Sequence, residues 1–306
     1  MHNTSKLKSW GILFILVLIW GTSFILIKRG LEVYSSMVVG AIRVVVSFFV
    51  LLPFALTHIR KVPPGKLKYI TIIAVIGTGI PAFLFARAQT VIDSSLAGIL
   101  NSLTPLFTMI IGLMFFKQKT GWLNVLGVFI GLVGALGLIY VTSDKTFEFH
   151  FSFAIYVIIA TILYALHSNM VKFYLQEVSA VTIAAVGFFI IGIPTCIYLF
   201  AFSDFLDILI HDENGLEGFM YIAILGILAS AFAIIAYNRL VQMTNAVFAS
   251  SVTYFVPVLA LVWGILDGER FPLIASLFIA LILLGVFLVN RTNNRKKKNK
   301  KSLKDL

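Results

Sequence analysis

Residues 10–27 read WGILFILVLIWGTSFILI, eighteen positions without a charge and without a polar face. A helix of that length measures about 27 Å at 1.5 Å per residue, close to the ~30 Å hydrocarbon layer of a bilayer. A surface helix of a soluble protein would show a polar stripe every turn, and none is present. Lys6 and Lys8 precede the stretch, as in the start of a secretory signal. The apolar run continues to Ile27 with no small-residue cleavage site, so it is read as a retained first membrane helix.

Outward from this stretch, nine further segments meet the same criterion: 36–56, 68–87, 95–116, 123–141, 153–172, 179–200, 218–239, 245–266 and 271–290. The connections are short and hold most of the charges and turn residues. The expected fold is an all-α polytopic membrane protein with about ten transmembrane helices. Composition agrees: 60% of the 306 residues are hydrophobic and 12% charged, against roughly 25% charged in a soluble domain. Mean hydropathy is +1.01.

Charge placement tests the count. With an even number of spans, 18 of the 24 basic residues fall on the side of the two termini and 5 on the other, with Arg43 inside a helix. Eleven of the 13 acids lie opposite, five of them between Asp204 and Glu217. Positive residues remain cytoplasmic, so both termini are expected there, in a cell (inner) membrane. Eight basic residues crowd 291–306, which reads as a cytoplasmic tail near anionic headgroups. No aromatic side chain interleaves them, which argues against nucleic acid. The single cysteine, Cys196, excludes an internal disulfide and is expected to be a buried small hydrophobe.

The second half repeats the first weakly, with a drifting offset. At +144, Lys28, Leu31, Ser35 and Ala41 meet Lys172, Leu175, Ser179 and Ala185. At +149, Ala74, Gly77, Ala82 and Phe83 meet Ala223, Gly226, Ala231 and Phe232; at +152, Ala97 and Pro105 meet Ala249 and Pro257. Five helices per repeat is an odd number, so the repeats, 1–145 and 146–290, must insert in opposite senses. Inverted repeats of this kind recur in secondary transporters.

Several local patterns recur in order along nearly the whole chain. They are Trp20-Gly21-Thr22-Ser23-Phe24 in the first segment, Arg43 in Ala41-Ile42-Arg43, and Pro105 and Pro257 about ten residues inside the fourth and ninth. Gly127, Gly131 and Gly134 form a ladder, and the ninth segment ends Asp267-Gly268-Glu269-Arg270. Together these resemble the drug/metabolite transporter superfamily, specifically its EamA-type ten-helix transporters. The resemblance implies small organic solutes, usually exported, with no cofactor and no enzymatic chemistry. Lys117-Gln118-Lys119 stands where the family often has Gly-Glu, which weakens any role for a symmetric acidic pair.

Polar residues at membrane depth are the candidate site. Arg43 lies about 10 Å inside its helix, and no acid occupies the interior of any segment. It can line a cavity, anchor on carbonyls or snorkel to the interface. Trp20, Tyr164, Tyr237 and Tyr254 fall towards mid-helix, where a cavity wall and plain packing both account for them. Asn101 can meet a solute or bond the carbonyl that Pro105 frees. His167 can titrate near neutrality or hold two helices together, with Asn169 beside it. Gln89 and Asn238, near segment ends, read as interfacial. Pro105 and Pro257 are candidate hinge or gate positions, since each removes a helix hydrogen bond. Gly77, Gly79 and Pro81 mark either a discontinuity or close packing, and packing is favoured for the glycine ladder.

No phosphate-binding loop, metal-ligand cluster or catalytic triad pattern is present. The expected function is secondary transport of a small amphipathic metabolite, such as an amino acid, outward by alternating access. Its substrate site is expected at Trp20, Arg43, Asn101, Tyr164, His167, Tyr237 and Tyr254. The alternatives are an intramembrane lipid-modifying enzyme, which would need clustered acids and histidines, and a non-transporting scaffold. The expected partners are the small-molecule solute and the bilayer; the sequence leaves monomer or homodimer open.

Overall fold

The computed structural model describes residues 2–92, 94–118, 120–142, 151–256, 258–259 and 273–302. Among these residues every regular element is helical. In chain order they begin with α1 (His2–Leu31) and α2 (Ser36–His58). Next, α3 (Leu67–Ala74) runs through a π-helical turn, Val75–Gly79, into α4 (Ile80–Ala88). The first half continues with α5 (Ser94–Asn101), α6 (Thr104–Phe115) and α7 (Trp122–Thr142). The second half opens with α8 (Phe151–Tyr174), α9 (Ala180–Ala201) and the short α10 (Phe205–His211). Then α11 (Gly215–Ile224) passes through a π-helical stretch, Leu225–Phe232, into α12 (Ala233–Met243). Finally α13 (Ala246–Ser250) tightens into a 3₁₀ turn, Ser251–Phe255, and α14 (Ile274–Ser302) ends the series.

Six helical stretches are long and apolar enough to cross a membrane: Leu7–Leu31, Ser36–Lys61, Leu67–Ala88, Ser152–Tyr174, Ala180–Ala201 and Gly215–Met243. Four apolar helices are shorter over the described residues: Thr104–Phe115, Trp122–Leu138, Ala246–Phe255 and Ser276–Val289. Large apolar side chains such as Phe14, Phe49, Phe129 and Phe287 point outward, where acyl chains rather than water solvate them. The protein is an all-helical polytopic membrane protein.

Helix starts follow short-range chemistry. The Ser35 hydroxyl accepts from the Val38 N–H at 3.4 Å, and Ser179, its partner at +144, accepts from Thr182 at 3.0 Å. Both relieve an orphan donor of a helix first turn.

Glycines set the closest packing. A Cβ built on Gly285 of α14 would lie 2.5 Å from the Gly131 nitrogen and 2.6 Å from the Gly127 carbonyl oxygen of α7. The ladder therefore brings two backbones together, the usual use of small residues between membrane helices. Gly192 of α9 likewise receives the Phe48 ring of α2.

Two expectations need correction here. The fourth segment is not one helix that Pro105 kinks. It breaks at Ser102 and Leu103, and Pro105 sits in the first turn of α6, where its missing N–H leaves no internal bond unmade. Cys196 is half-exposed rather than buried. Pro257, the other candidate hinge, and the Asp267–Arg270 ending lie outside the described residues.

Candidate functional site

A cavity of about 700 Å³ of empty space, its mouth included, lies among α1, α2, α4, α8 and α12. Of the sequence candidates, Trp20, Arg43, Asn101, Tyr164, His167 and Tyr237 all face it. Six residues from five helices and both halves of the chain thus meet in one chamber.

The π stretch between α11 and α12 is the organising element. A wider π turn breaks the regular pairing of helix carbonyls, which is why such turns recur at functional sites. Here Trp20 Nε1 donates to the Ala229 carbonyl at 3.0 Å, and Ser47 Oγ donates to the Gly226 carbonyl at 2.9 Å. Arg43 Nε donates to Ser230 Oγ at 2.6 Å. Three side chains of α1 and α2 are therefore fixed by one irregular turn of the other half. The Arg43 guanidinium also adjoins the Tyr164 hydroxyl. Arg43 makes no ion pair among the described residues, and its charge faces the chamber with no carboxylate of those residues beside it.

The matching π turn in the first half, Val75–Gly79, does a different job. A Cβ on Gly77 would lie 2.5 Å from both Cβ and Nδ1 of His167, so the glycine makes room for the ring. His167 Nε2 lies 2.9 Å from Asn238 Oδ1. His167 Nδ1 and Asn238 Nδ2 are buried without a hydrogen-bond partner. Asn238 is fully buried within α12, which continues to Met243, and this corrects its reading as interfacial; Gln89 is also buried, at the end of α4. Asn169 bridges helices instead, donating to the Thr108 carbonyl at 2.9 Å and accepting from Gln118 at 2.9 Å.

Aromatic rings complete the wall. Trp20 leans on Tyr237 at 5.2 Å between centroids, and Tyr164 stacks on Phe85 at 5.8 Å. Tyr237 shares a 2.5 Å hydrogen bond with Ser168. At the helix break, Thr104 Oγ1 donates to the Asn101 carbonyl at 2.6 Å, one of the carbonyls left without a helical partner where α5 ends. The Asn101 amide is thereby spared that task and turns to the cavity.

Tyr254 is the exception. It is fully buried against α7, its ring over Gly131 and its hydroxyl donating to the Val128 carbonyl at 2.9 Å. Its neighbour Thr253 faces the cavity in its place. Ser23, Phe24, Phe85, Thr104 and Thr253 also line the chamber, and none of them was among the substrate-site candidates. The internal offsets pointed to two of them: Ser23 matches His167 at +144 and Thr253 matches Asn101 at +152.

A helical membrane bundle around one solute-sized chamber, built by irregular turns from both halves, defines a polytopic membrane protein with an internal site. The chain belongs to the EamA-like transporter family, whose sequence pattern matches residues 9–140 and again 151–291. It is similar to the uncharacterized inner membrane transporter YedA of Escherichia coli, at 28% identity over 94% of this chain and 92% of that protein. An uncharacterized transporter of Archaeoglobus fulgidus is 23% identical over 93% of this chain and 99% of its own length. Protein PagO of Salmonella typhimurium is 24% identical, with 92% of each chain covered. One crystal structure superposes with a TM-score of 0.70, covering 94% of this chain and 98% of that one at 15% identity, a likeness of fold.

Proposed function

We propose that the protein is a ten-span secondary transporter that exports a small amphipathic metabolite bearing an anionic group. The observation that carries this reading is a guanidinium without a counter-ion among the described residues, set among aromatic rings in a chamber shared by both halves. A buried charge without a partner is costly in a membrane and is kept where it is used. Arg43 is matched to a carboxylate or similar anion, and Trp20, Tyr164 and Tyr237 to an apolar body.

Alternating access between inverted repeats 1–145 and 146–290 is supported by three matched features. The family pattern fits the chain twice. The π turns coincide at the +149 offset, Gly77 with Gly226. The break at Ser102–Leu103 and the 3₁₀ turn Ser251–Phe255 coincide at +152, which favours the Pro105 and Pro257 regions as hinges. The charge bias supports cytoplasmic termini, and the inner-membrane relatives support that location.

A metabolite screen by thermal shift on the detergent-purified protein tests the reading. Anionic amphipathic solutes should stabilise it, by about 2.7 kcal/mol at a hundred times Kd, and Arg43→Met should abolish the response. Stabilisation by cationic solutes alone, or an undiminished response in Arg43→Met, would overturn it.

A further inference from the structure

His167 is held between two acceptors, and a neutral imidazole satisfies only one of them. On one side Nε2 lies 2.9 Å from Asn238 Oδ1, an oxygen that can only accept, so Nε2 carries the hydrogen. On the other side Nδ1 enters the π turn Val75–Gly79, where Gly77 has no side chain to exclude it. The Ile73 carbonyl adjoins the ring there, yet Nδ1 is buried without a hydrogen-bond partner. With its hydrogen on Nε2, a neutral ring has only a lone pair at Nδ1, and a lone pair does not bond a carbonyl. A proton on Nδ1 turns the same contact into a hydrogen bond. These surroundings fit the imidazolium, which donates from both nitrogens, better than the neutral ring.

The ring is also a partition. His167 and Ile234 line both the chamber and a second cavity, of about 210 Å³ of empty space, between α3, α8, α9 and α12. Among the residues lining the two, the titratable side chains are Arg43 of α2, Tyr164 and His167 of α8, and Tyr237 of α12. The Tyr237 ring lies 6.3 Å from that of His167 between centroids. The lining residues of α1, α3, α4, α5, α6 and α9 add no titratable group. Tyrosine is neutral near physiological pH, so Arg43 is the one fixed charge among these side chains. It adjoins Tyr164, which precedes His167 by about one helical turn. A positive charge there opposes a second one on His167, and an anion held by Arg43 cancels that opposition.

We infer that His167 takes up one proton on Nδ1 when the chamber takes up its anion, so that the two are carried together. The neutral ring and the proton give the imidazolium, with Nδ1–H on the Ile73 carbonyl and Nε2–H on Asn238 Oδ1. Release of the anion restores the opposition of Arg43 and returns the proton. Net exit of the solute then takes a proton out with it, along the solute's own gradient. The inference rests on the carrier reading above, and adds to it the ion that travels with the solute.

The test uses the full chain in detergent with isotope-labelled histidine, whose ring nitrogens are read by NMR. The probe is phenylacetate, an aryl carboxylate that stays ionised between about pH 6 and 8.5. With phenylacetate bound, His167 should carry a hydrogen on Nε2 alone at about pH 8.5 and on both nitrogens at about pH 6. Thermal shift should show phenylacetate binding about tenfold tighter at the lower pH, within the usual range of coupling between two sites. His167→Gln should remove this pH dependence. Asn238→Asp, outside the chamber, should remove it in the opposite sense, because a carboxylate at Nε2 keeps the ring protonated at both pH values. The His167 signal is the one lost in His167→Gln or displaced in Asn238→Asp, so its assignment survives should either variant fail to fold. A ring that stays neutral at both pH values, or a pH dependence unchanged in either variant, refutes the proton site and leaves the carrier reading standing. No stabilisation by phenylacetate at either pH removes the anion reading and the coupling together.

Discussion

Arg43→Met should leave the protein as stable as before or more so, while Ser230→Ala, a smaller change, should weaken it. The two residues share one hydrogen bond of 2.6 Å, yet the effects differ in sign because they leave different groups behind. A charged hydrogen bond contributes roughly 1.5–3 kcal/mol. Ser230→Ala removes that bond and keeps the guanidinium in its low-dielectric site, so the full amount is lost. Arg43→Met loses the same bond and the Tyr164 contact, but it also removes the desolvation cost of an ion without a carboxylate beside it, which is several kcal/mol. Thermal unfolding in one fixed detergent reads both. At on the order of 2 °C per kcal/mol for a chain of this size, Ser230→Ala should lower Tm by about 3–6 °C and Arg43→Met should not lower it. The double variant should recover the loss, because the two sites are coupled through one contact. An Arg43→Met protein less stable than Ser230→Ala would refute the reasoning: the arginine would then be a structural anchor, and its assignment to the solute would lose its basis.

Asn101→Trp should fill the chamber, leave Tm within a few degrees and remove solute-induced stabilisation, since the amide is not needed to cap the break; a retained thermal response would contradict this. Gly285→Ala puts a methyl 2.5 Å from the Gly131 nitrogen, where only backbone can yield, and should cost about 1–3 kcal/mol or more, seen as a fall in Tm that a matching change on the lipid face of α14 does not produce. Tyr34, in the turn between α1 and α2, donates to the Gly215 carbonyl at 2.7 Å. Burial, and then the negative charge of Asp212, push its hydroxyl from the ordinary 10 up to about 12. The folded state therefore favours the neutral phenol: the stabilisation is complete below pH 10 and is lost as pH rises through about 12. Detergent-phase unfolding between those values should show the decline, and Tyr34→Phe should flatten it.

The spans were legible because a bilayer imposes length and apolarity on every crossing segment, and the six long helices follow those limits closely. Six of the seven substrate-site candidates meet in the chamber because a polar or aromatic group at mid-depth has few places to go except inward. Tyr254 shows where that criterion fails. One residue turns a helix face by about 100°, so Tyr254 packs on α7 while Thr253 faces the cavity, and depth alone does not separate them. Asn238 was misplaced because Arg239 beside it looked like a helix end, whereas α12 continues to Met243. The π turn at Val75–Gly79 was legible only as one of two readings of Gly77, Gly79 and Pro81, and the one at Leu225–Phe232 left no signal, for another reason. Gly77 and Gly226 fit tight packing as well as irregular backbone, and the clearances that decide between these exist only once helices from both halves are assembled. Ser230, the partner of Arg43, was hidden among the small residues of Leu225–Phe232 for the same cause.

Tracer counterflow in proteoliposomes puts the carrier account to its most direct test. The solute is the one that gives the largest thermal shift, and the vesicles are preloaded with it unlabelled. The unaltered protein should draw labelled solute inward, transiently and saturably, and Arg43→Met should not. Equal uptake by both proteins and by empty vesicles would contradict the account.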